Sequence, residues 1–189
     1  MKNIAVFVSG SGSNAENLFR YFENSSDARV TVMISNKSDA YALIRAQNLG
    51  LDSVVFGRDD FRRGDTVIDE LRARRIDYIV LAGFLMLVPD SVTRAYAGRI
   101  LNIHPALLPK YGGKGMYGDH VHRAVIEAGE SESGITIHQV NEVYDSGDIV
   151  FQARVPVTPD DTPESLAAKI HELEYAHFPK IVEQEILKL

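Results

Sequence analysis

Apolar residues along the chain fall into short β-branched runs that alternate with stretches of helical spacing. Ile4 to Val8 is a strand apolar on both faces, and Leu18, Phe19 and Phe22 then mark a helix from about Asn14 to Glu23. Val30 to Ile34 makes a second strand, followed by a helical segment from Asp39 to Asn48 that Gly50 stops. Leu51 to Phe56 reads as a third strand, and Thr66 to Arg74 as an amphipathic helix built on Val67, Ile68 and Leu71. Tyr78 to Ala82 is again apolar on both faces, as suits a parallel sheet covered by helices on both sides. A helix near Asp90 to Ala97 and a strand from Ile100 to Ile103, ending at His104-Pro105, complete this series.

Beyond Pro109 the pattern changes. Tyr111 to Gly118 is a Gly-rich surface loop, and a helix follows from about Asp119 to Ala128. Gly134 to Val140 and Ile149 to Val157 are extended runs, and the segment Asn141 to Asp148 between them is too short for a parallel crossover, so they should pair antiparallel. Thr162 is the N-cap of a last helix with Pro163 at its first position and Leu166, Ile170 and Leu173 as its buried stripe. Pro179 should kink or restart that helix. The expected architecture is one α/β domain over residues 1–189. It has a doubly wound, mostly parallel sheet of Rossmann-like form, an antiparallel extension and a C-terminal helix.

Composition removes several classes of function. The 189 residues include no cysteine, which excludes disulfides, thiolate nucleophiles and Cys-based metal sites. Lys and Arg number 20 against 26 Asp and Glu, a net charge of −6 without long runs of one sign, so a nucleic-acid partner is not expected. No window approaches the ~20 apolar residues of a membrane span. The expectation is a soluble cytoplasmic protein, a monomer or homodimer, acting on small molecules. His120 and His122 do not share a helical face, so no metal is expected there.

Three segments could carry chemistry. Ser9-Gly10-Ser11-Gly12-Ser13-Asn14 sits where the first strand hands over to the first helix, where backbone N–H groups and the helix dipole favour an anion. Gly10, Gly12 and Ala15 match a dinucleotide fingerprint, but the second strand ends Ser35-Asn36-Lys37 without the acidic residue a ribose would need. NAD is therefore disfavoured, and the loop is either a phosphate cradle or a Ser/Asn-rich turn that only caps a helix. Asn102 and His104 lie two apart on one strand and share a face, with Pro105 holding His104 extended. They are either an oxyanion-binding pair or a hydrogen-bonded strand end. Asp145 either caps its own turn or, if the fold brings it to His104, tunes that imidazole. His138 lines a cleft or simply hydrogen-bonds on its strand, and Asp59-Asp60 and Asp160-Asp161 read as solvated turns. Phe84 to Val88 is core or one wall of a pocket for a flat aromatic ligand.

Taken together, the Ser9 to Asn14 loop, Leu81-Ala82-Gly83-Phe84, the block Ala97 to Pro109 and Asp145-Ser146-Gly147-Asp148 resemble the folate-dependent formyltransferase family over essentially the whole chain. The Ser-Gly-x-Gly-Ser-Asn loop resembles the members that act on glycinamide ribonucleotide. The resemblance implies transfer of formyl from 10-formyltetrahydrofolate, as co-substrate, to the amine of 5-phosphoribosylglycinamide in purine synthesis. By position it implies Asn102, His104 and Asp145 as catalytic, and Gly12, Ser13, Asn14 and Glu174 as ribonucleotide contacts. It further implies Leu85, Met86, Leu87, Val88, Asn102, Val140 and Asn141 around the folate. Met86 stands where many relatives carry arginine, the 111–118 loop is longer than the common one, and no folate role is carried over to Arg62 or Arg63.

The mechanism expected is direct attack of the neutral amine on the formyl carbon. Asn102 and protonated His104 hold the oxyanion, while Asp145 keeps His104 charged and helps move the amine proton through water. No Gly-x-Ser-x-Gly elbow suggests a serine nucleophile. Two alternatives remain: a formyltetrahydrofolate hydrolase, whose relatives carry an added N-terminal domain, and a non-catalytic nucleotide- or folate-binding module.

Overall fold

The computed structural model describes residues 1–189. Seven strands, β1 (Lys2–Val8), β2 (Ala28–Ser35), β3 (Ser53–Val55), β4 (Tyr78–Leu81), β5 (Ile100–His104), β6 (Glu132–Gln139) and β7 (Ile149–Pro156), form one sheet in the order β3-β2-β1-β4-β5-β6-β7. The pairs from β3 to β5 are parallel, and β6 and β7 add antiparallel. Seven helices connect them: α1 (Ser13–Phe22), α2 (Tyr41–Leu49), α3 (Arg58–Arg63), α4 (Asp65–Ala73), α5 (Asp90–Ala95), α6 (Asp119–Glu127) and α7 (Pro163–Ile186). The doubly wound sheet, its antiparallel extension and the final helix are as the sequence pattern implies.

The double-sided apolar run of β1 explains the layers. Its side chains alternate between two cores. Ile4, Val6 and Val8 join Leu18 and Phe22 of α1 with Leu166, Ile170 and Phe178 of α7. Ala5 and Phe7 face the other side and meet Phe61 of α3, Val67 and Leu71 of α4, and Val92 of α5. There Phe7 packs edge-on against Phe61 and Phe84, with ring centroids 5.8 and 5.4 Å away. Since β1 is flanked by β2 and β4, chain order reverses beside it, and the carboxyl ends of β1, β4 and β5 open onto the crevice where such sheets gather ligands.

Three local expectations change. The third strand shrinks to Ser53–Val55, because it lies at the sheet edge and pairs only with the end of β2. Asp59-Asp60 is not a plain turn but the first turn of α3, where the Gly57 N–H donates to Asp60 Oδ2 at 3.0 Å. Two acidic residues at its N-terminal end and Arg62 and Arg63 in its last turn complement the helix dipole. Pro179 does not restart α7, which runs on from Pro163 to Ile186. A proline deprives the carbonyl four residues earlier of its donor. That carbonyl, on Tyr175, instead accepts from Asn17 Nδ2 of α1 at 3.2 Å. The start of α7 follows the pattern, with Thr162 Oγ1 accepting from the Ser165 N–H at 3.2 Å and Thr162 N–H donating to Ser165 Oγ at 3.0 Å.

Candidate active site

The end of β5 supplies Asn102 and His104 as spaced residues of one face, and β6 brings a third side chain that the sequence pattern left open. In the antiparallel register Asn102 lies directly opposite His138. Asn102 Nδ2 donates to His138 Nε2 at 3.0 Å, while His138 Nδ1 donates to the Gln139 carbonyl at 2.8 Å, which fixes the tautomer. Asp145 enters from the turn between β6 and β7. Its Oδ1 accepts from Asn102 Nδ2 at 3.4 Å and lies 3.5 Å from His138 Nε2; its Oδ2 lies 3.6 Å from His104 Nδ1. The three residues expected to act together thus meet, with His138 as a fourth member.

Asp145 does not cap its own turn. Asn141 does that, its Oδ1 accepting from the Val143 N–H and from Ser146 Oγ, both at 2.9 Å. Asp145 itself is held with φ 51°, a left-handed conformation that costs energy for a non-glycine residue but that Asp and Asn tolerate best. The strain is offset by the Gly113 N–H, which donates to Oδ2 at 2.9 Å.

The Gly-rich loop reaches the imidazole as well. His104 Nε2 lies 2.8 Å from the Tyr111 carbonyl and must donate to it, which leaves Nδ1 facing the carboxylate at a distance too long for a hydrogen bond. Gly112 between these two contacts is packed so closely that a Cβ there would come within 2.5 Å of Leu108 Cδ2 and 3.3 Å of Asp145 Cβ. His104 is 3% exposed. Burial pushes its imidazole below the ordinary value, and the opposing pull of Asp145 and the Tyr111 carbonyl does not restore it. The pull expected of Asp145 on His104 is therefore opposed: desolvation outweighs a carboxylate 3.6 Å away and favours the uncharged ring. Burial pushes Asp145 up, but the polar groups around it prevail and hold it below the usual carboxylate range, so it is ionised.

The loop after β1 is shaped by one glycine. Gly12 is the N-cap of α1 with φ 75°, and a Cβ there would lie 2.5 Å from Ala42 Cβ. Only glycine gives both the turn and this close approach to α2. The loop is pinned by the Ala42 N–H donating to the Gly10 carbonyl at 3.1 Å and by Arg45 Nε donating to the Ser11 carbonyl at 2.8 Å. No side chain caps α1, and Glu16 is the first residue whose N–H finds a backbone acceptor, on Gly12 at 2.9 Å. The N–H groups of Ser13 and Asn14 are thus left for an anion. Asn14 Nδ2 donates to Glu174 Oε2 of α7 at 2.9 Å, which joins two residues that the resemblance groups from opposite ends of the chain. Ser9 Oγ donates to Asn36 Oδ1 at 2.6 Å, so the position that would carry a ribose-binding acid in a dinucleotide fold is occupied by a structural acceptor.

The same Ser9 Oγ accepts the Leu85 N–H at 2.9 Å and so anchors the segment after β4. Within that segment Leu85 and Leu87 are exposed, Met86 is half-buried and Val88 is buried in the second core. Val140 is half-buried against the same core, and Asn141 holds the turn. A cleft of about 670 Å³ is lined by Met86, Leu87, Val88 and Phe61 together with Arg58, Arg62, Arg63 and Arg94. It does not include Asn102, His104 or Asp145. Arg62 and Arg63 pair with Asp59 and Asp60, whereas Arg58 and Arg94 have no ion pair.

Sequence reasoning left the role of His138 open between a cleft and a simple hydrogen bond, and it missed the Tyr111 carbonyl and the Gly113 N–H. The signal for His138 was its alternation with buried residues on β6, but its partner could be found only from the strand register.

A strand-loop-helix turn with free backbone N–H groups after β1, an amide–imidazole–carboxylate group at the end of β5 and an apolar segment after β4 form an arrangement suited to a group-transfer enzyme built on a doubly wound sheet. The formyl transferase family model matches residues 2–182, and the chain belongs to that family. It is 41% identical over 187 residues to the phosphoribosylglycinamide formyltransferase of Haemophilus influenzae, covering 96% of this chain and 86% of that one. The crystal structure of phosphoribosylglycinamide formyltransferase from Streptococcus pneumoniae matches with a TM-score of 0.87 at 37% identity, over 97% of this chain and 98% of that chain. Glycinamide ribonucleotide transformylase 1 from Geobacillus kaustophilus matches with a TM-score of 0.89 at 33% identity, over 98% of this chain and 99% of that chain.

Proposed function

We propose that this chain transfers the formyl group of 10-formyltetrahydrofolate to the amine of 5-phosphoribosylglycinamide. The observation that carries the reading is the meeting of Asn102, His104 and Asp145 beside a helix N-terminus suited to a phosphate. The names of the relatives support the same substrate pair.

In this reading Gly12, Ser13 and Asn14 bind the phosphate and Glu174 the sugar or amine end of the ribonucleotide. Leu85 to Val88, with Asn102, Val140 and Asn141, border the folate. The arginines of the 670 Å³ cleft next to Met86 suit the carboxylates of the folate's tail and compensate for the arginine that Met86 replaces. The amine nitrogen bonds to the formyl carbon, and the carbonyl electron pair moves onto oxygen. Asn102 and neutral His104 donate N–H groups to that oxyanion. Because both donors already have protein acceptors, binding exchanges hydrogen bonds rather than adding them. The oxyanion takes the Asn102 N–H now shared at 3.4 Å with Asp145, and the His104 N–H now given to Tyr111. Asp145, ionised, takes the amine proton through water and returns it to the departing folate nitrogen as the C–N bond to folate breaks.

The same reading takes residues 1–189 as one catalytic domain of a cytoplasmic enzyme, monomeric or homodimeric. No helix is long and apolar enough to cross a membrane. Purified protein should consume formyl-folate only when 5-phosphoribosylglycinamide is present, as followed by absorbance. Equal consumption without the ribonucleotide would make it a hydrolase, and none with both substrates would make it a binding module.

A further inference from the structure

One cluster beside the phosphate loop contains a titratable side chain that the reaction above does not use. Glu174 is 5% exposed, and its Oε2 accepts two hydrogen bonds at 2.9 Å, from Asn14 Nδ2 on α1 and from His171 Nδ1 one turn earlier on α7. Its other oxygen, Oε1, receives no protein donor. Facing them from α6, His122 is 3% exposed and its Nδ1 has no hydrogen-bond partner, and Asn14 Oδ1 is likewise buried and unpartnered. Buried polar atoms are almost always paired in folded proteins, so unfilled positions around one carboxylate point to a polar ligand. His171 is half-exposed, with its ring stacked on Tyr175 at 6.1 Å between centroids.

We propose that His171 is a positioning residue of the ribonucleotide site: as an imidazolium it holds Glu174 as an oriented carboxylate, with Oε1 left for a hydroxyl or amine of the ligand, and adds positive charge beside the phosphate loop. The inference rests on the ribonucleotide reading above and assigns it a residue and a pH dependence. The groups facing His171 are Glu174 on its own helix and Asp119 and His122 on α6. The hydrogen bond to Glu174 raises the imidazole above its ordinary value, burial opposes this, and Asp119 adds to the rise. His122 is pushed the other way by burial and stays neutral near pH 7, so it does not compete for the positive charge. The charge on His171 is present below its raised pKa and is lost as pH increases through it.

The test is the KM for 5-phosphoribosylglycinamide between pH 6 and 9, measured on the full chain and on His171→Gln and His171→Lys. The substrate's own phosphate and amine titrate alike for every variant, so the ratio of variant to wild-type KM isolates His171. For His171→Gln the ratio should be about tenfold at low pH, the scale of a lost charge-assisted contact, and fall towards one at pH 9. The lysine variant retains charge over the whole range and should show the smaller ratio at low pH. Turnover number and folate KM should change less than about twofold. A ratio for His171→Gln that is independent of pH, or a loss confined to turnover number, overturns the proposal. If the wild-type protein does not turn over, the formyl-transfer reading fails instead, and calorimetric titration with 5-phosphoribosylglycinamide over the same pH range still decides the role of His171.

Discussion

Replacing Asp145 by Asn tests the carboxylate with the least disturbance of its surroundings. Asp145 has φ 51°, which Asn adopts nearly as well, whereas Ala would add backbone strain to the loss of charge. The amide oxygen of the new side chain can keep the Gly113 N–H bond at 2.9 Å. Its amide nitrogen then faces Asn102 Nδ2, a donor against a donor, in place of the 3.4 Å contact. That exchange costs about 1–2 kcal/mol of stability, or roughly 2–8 °C in Tm for a chain of this size. Catalysis should suffer more, because the proton acceptor is removed altogether. General-base contributions are typically ~10²–10⁴ in rate, equivalent to about 2.7–5.4 kcal/mol of barrier. The expected result in steady-state assays of both substrates is a turnover number lower by about 10²–10⁴, with each KM within a few-fold of wild type. A turnover number within about threefold of wild type in a folded variant, or a loss that lies wholly in KM, would refute the role given to Asp145.

Further outcomes follow from the loop and from the buried histidines. Ser13→Ala and Asn14→Ala should weaken 5-phosphoribosylglycinamide binding while leaving folate affinity nearly unchanged; calorimetry with each ligand reads this, and equal loss of both would argue against a ribonucleotide-specific loop. Gly12→Ala introduces a Cβ 2.5 Å from Ala42 Cβ at φ 75°, so it should cost about 2–4 kcal/mol in urea unfolding. An unchanged midpoint would show that the α1–α2 contact yields easily. Burial lowers both His104 and His122, so below the ordinary histidine value the unfolded chain binds more protons than the folded one. Their contribution to stability is therefore lost as pH falls from 7 towards 5. The pH slope of stability should be smaller in His122→Gln, and an identical slope would count against a buried neutral His122.

The sequence by itself determined the doubly wound sheet, because apolar runs such as Ile4 to Val8 and Tyr78 to Ala82 can be buried only when both faces are covered. It also determined the start of α7, since Thr162 and Pro163 act within one turn, and the shared face of Asn102 and His104, since that follows from strand geometry alone. These are local consequences of side-chain spacing. What the tertiary structure decided is everything that depends on register, burial or a meeting of distant segments. The pairing of Asn102 with His138 follows from the β5–β6 register, and the passage of α7 through Pro179 from Asn17 of another helix. The lowered pKa of His104 likewise depends on how deeply the Gly-rich loop covers it, because the free energy of charging an imidazole is set by the solvent it has lost and by the groups that the fold brings to it, not by the residues beside it in sequence.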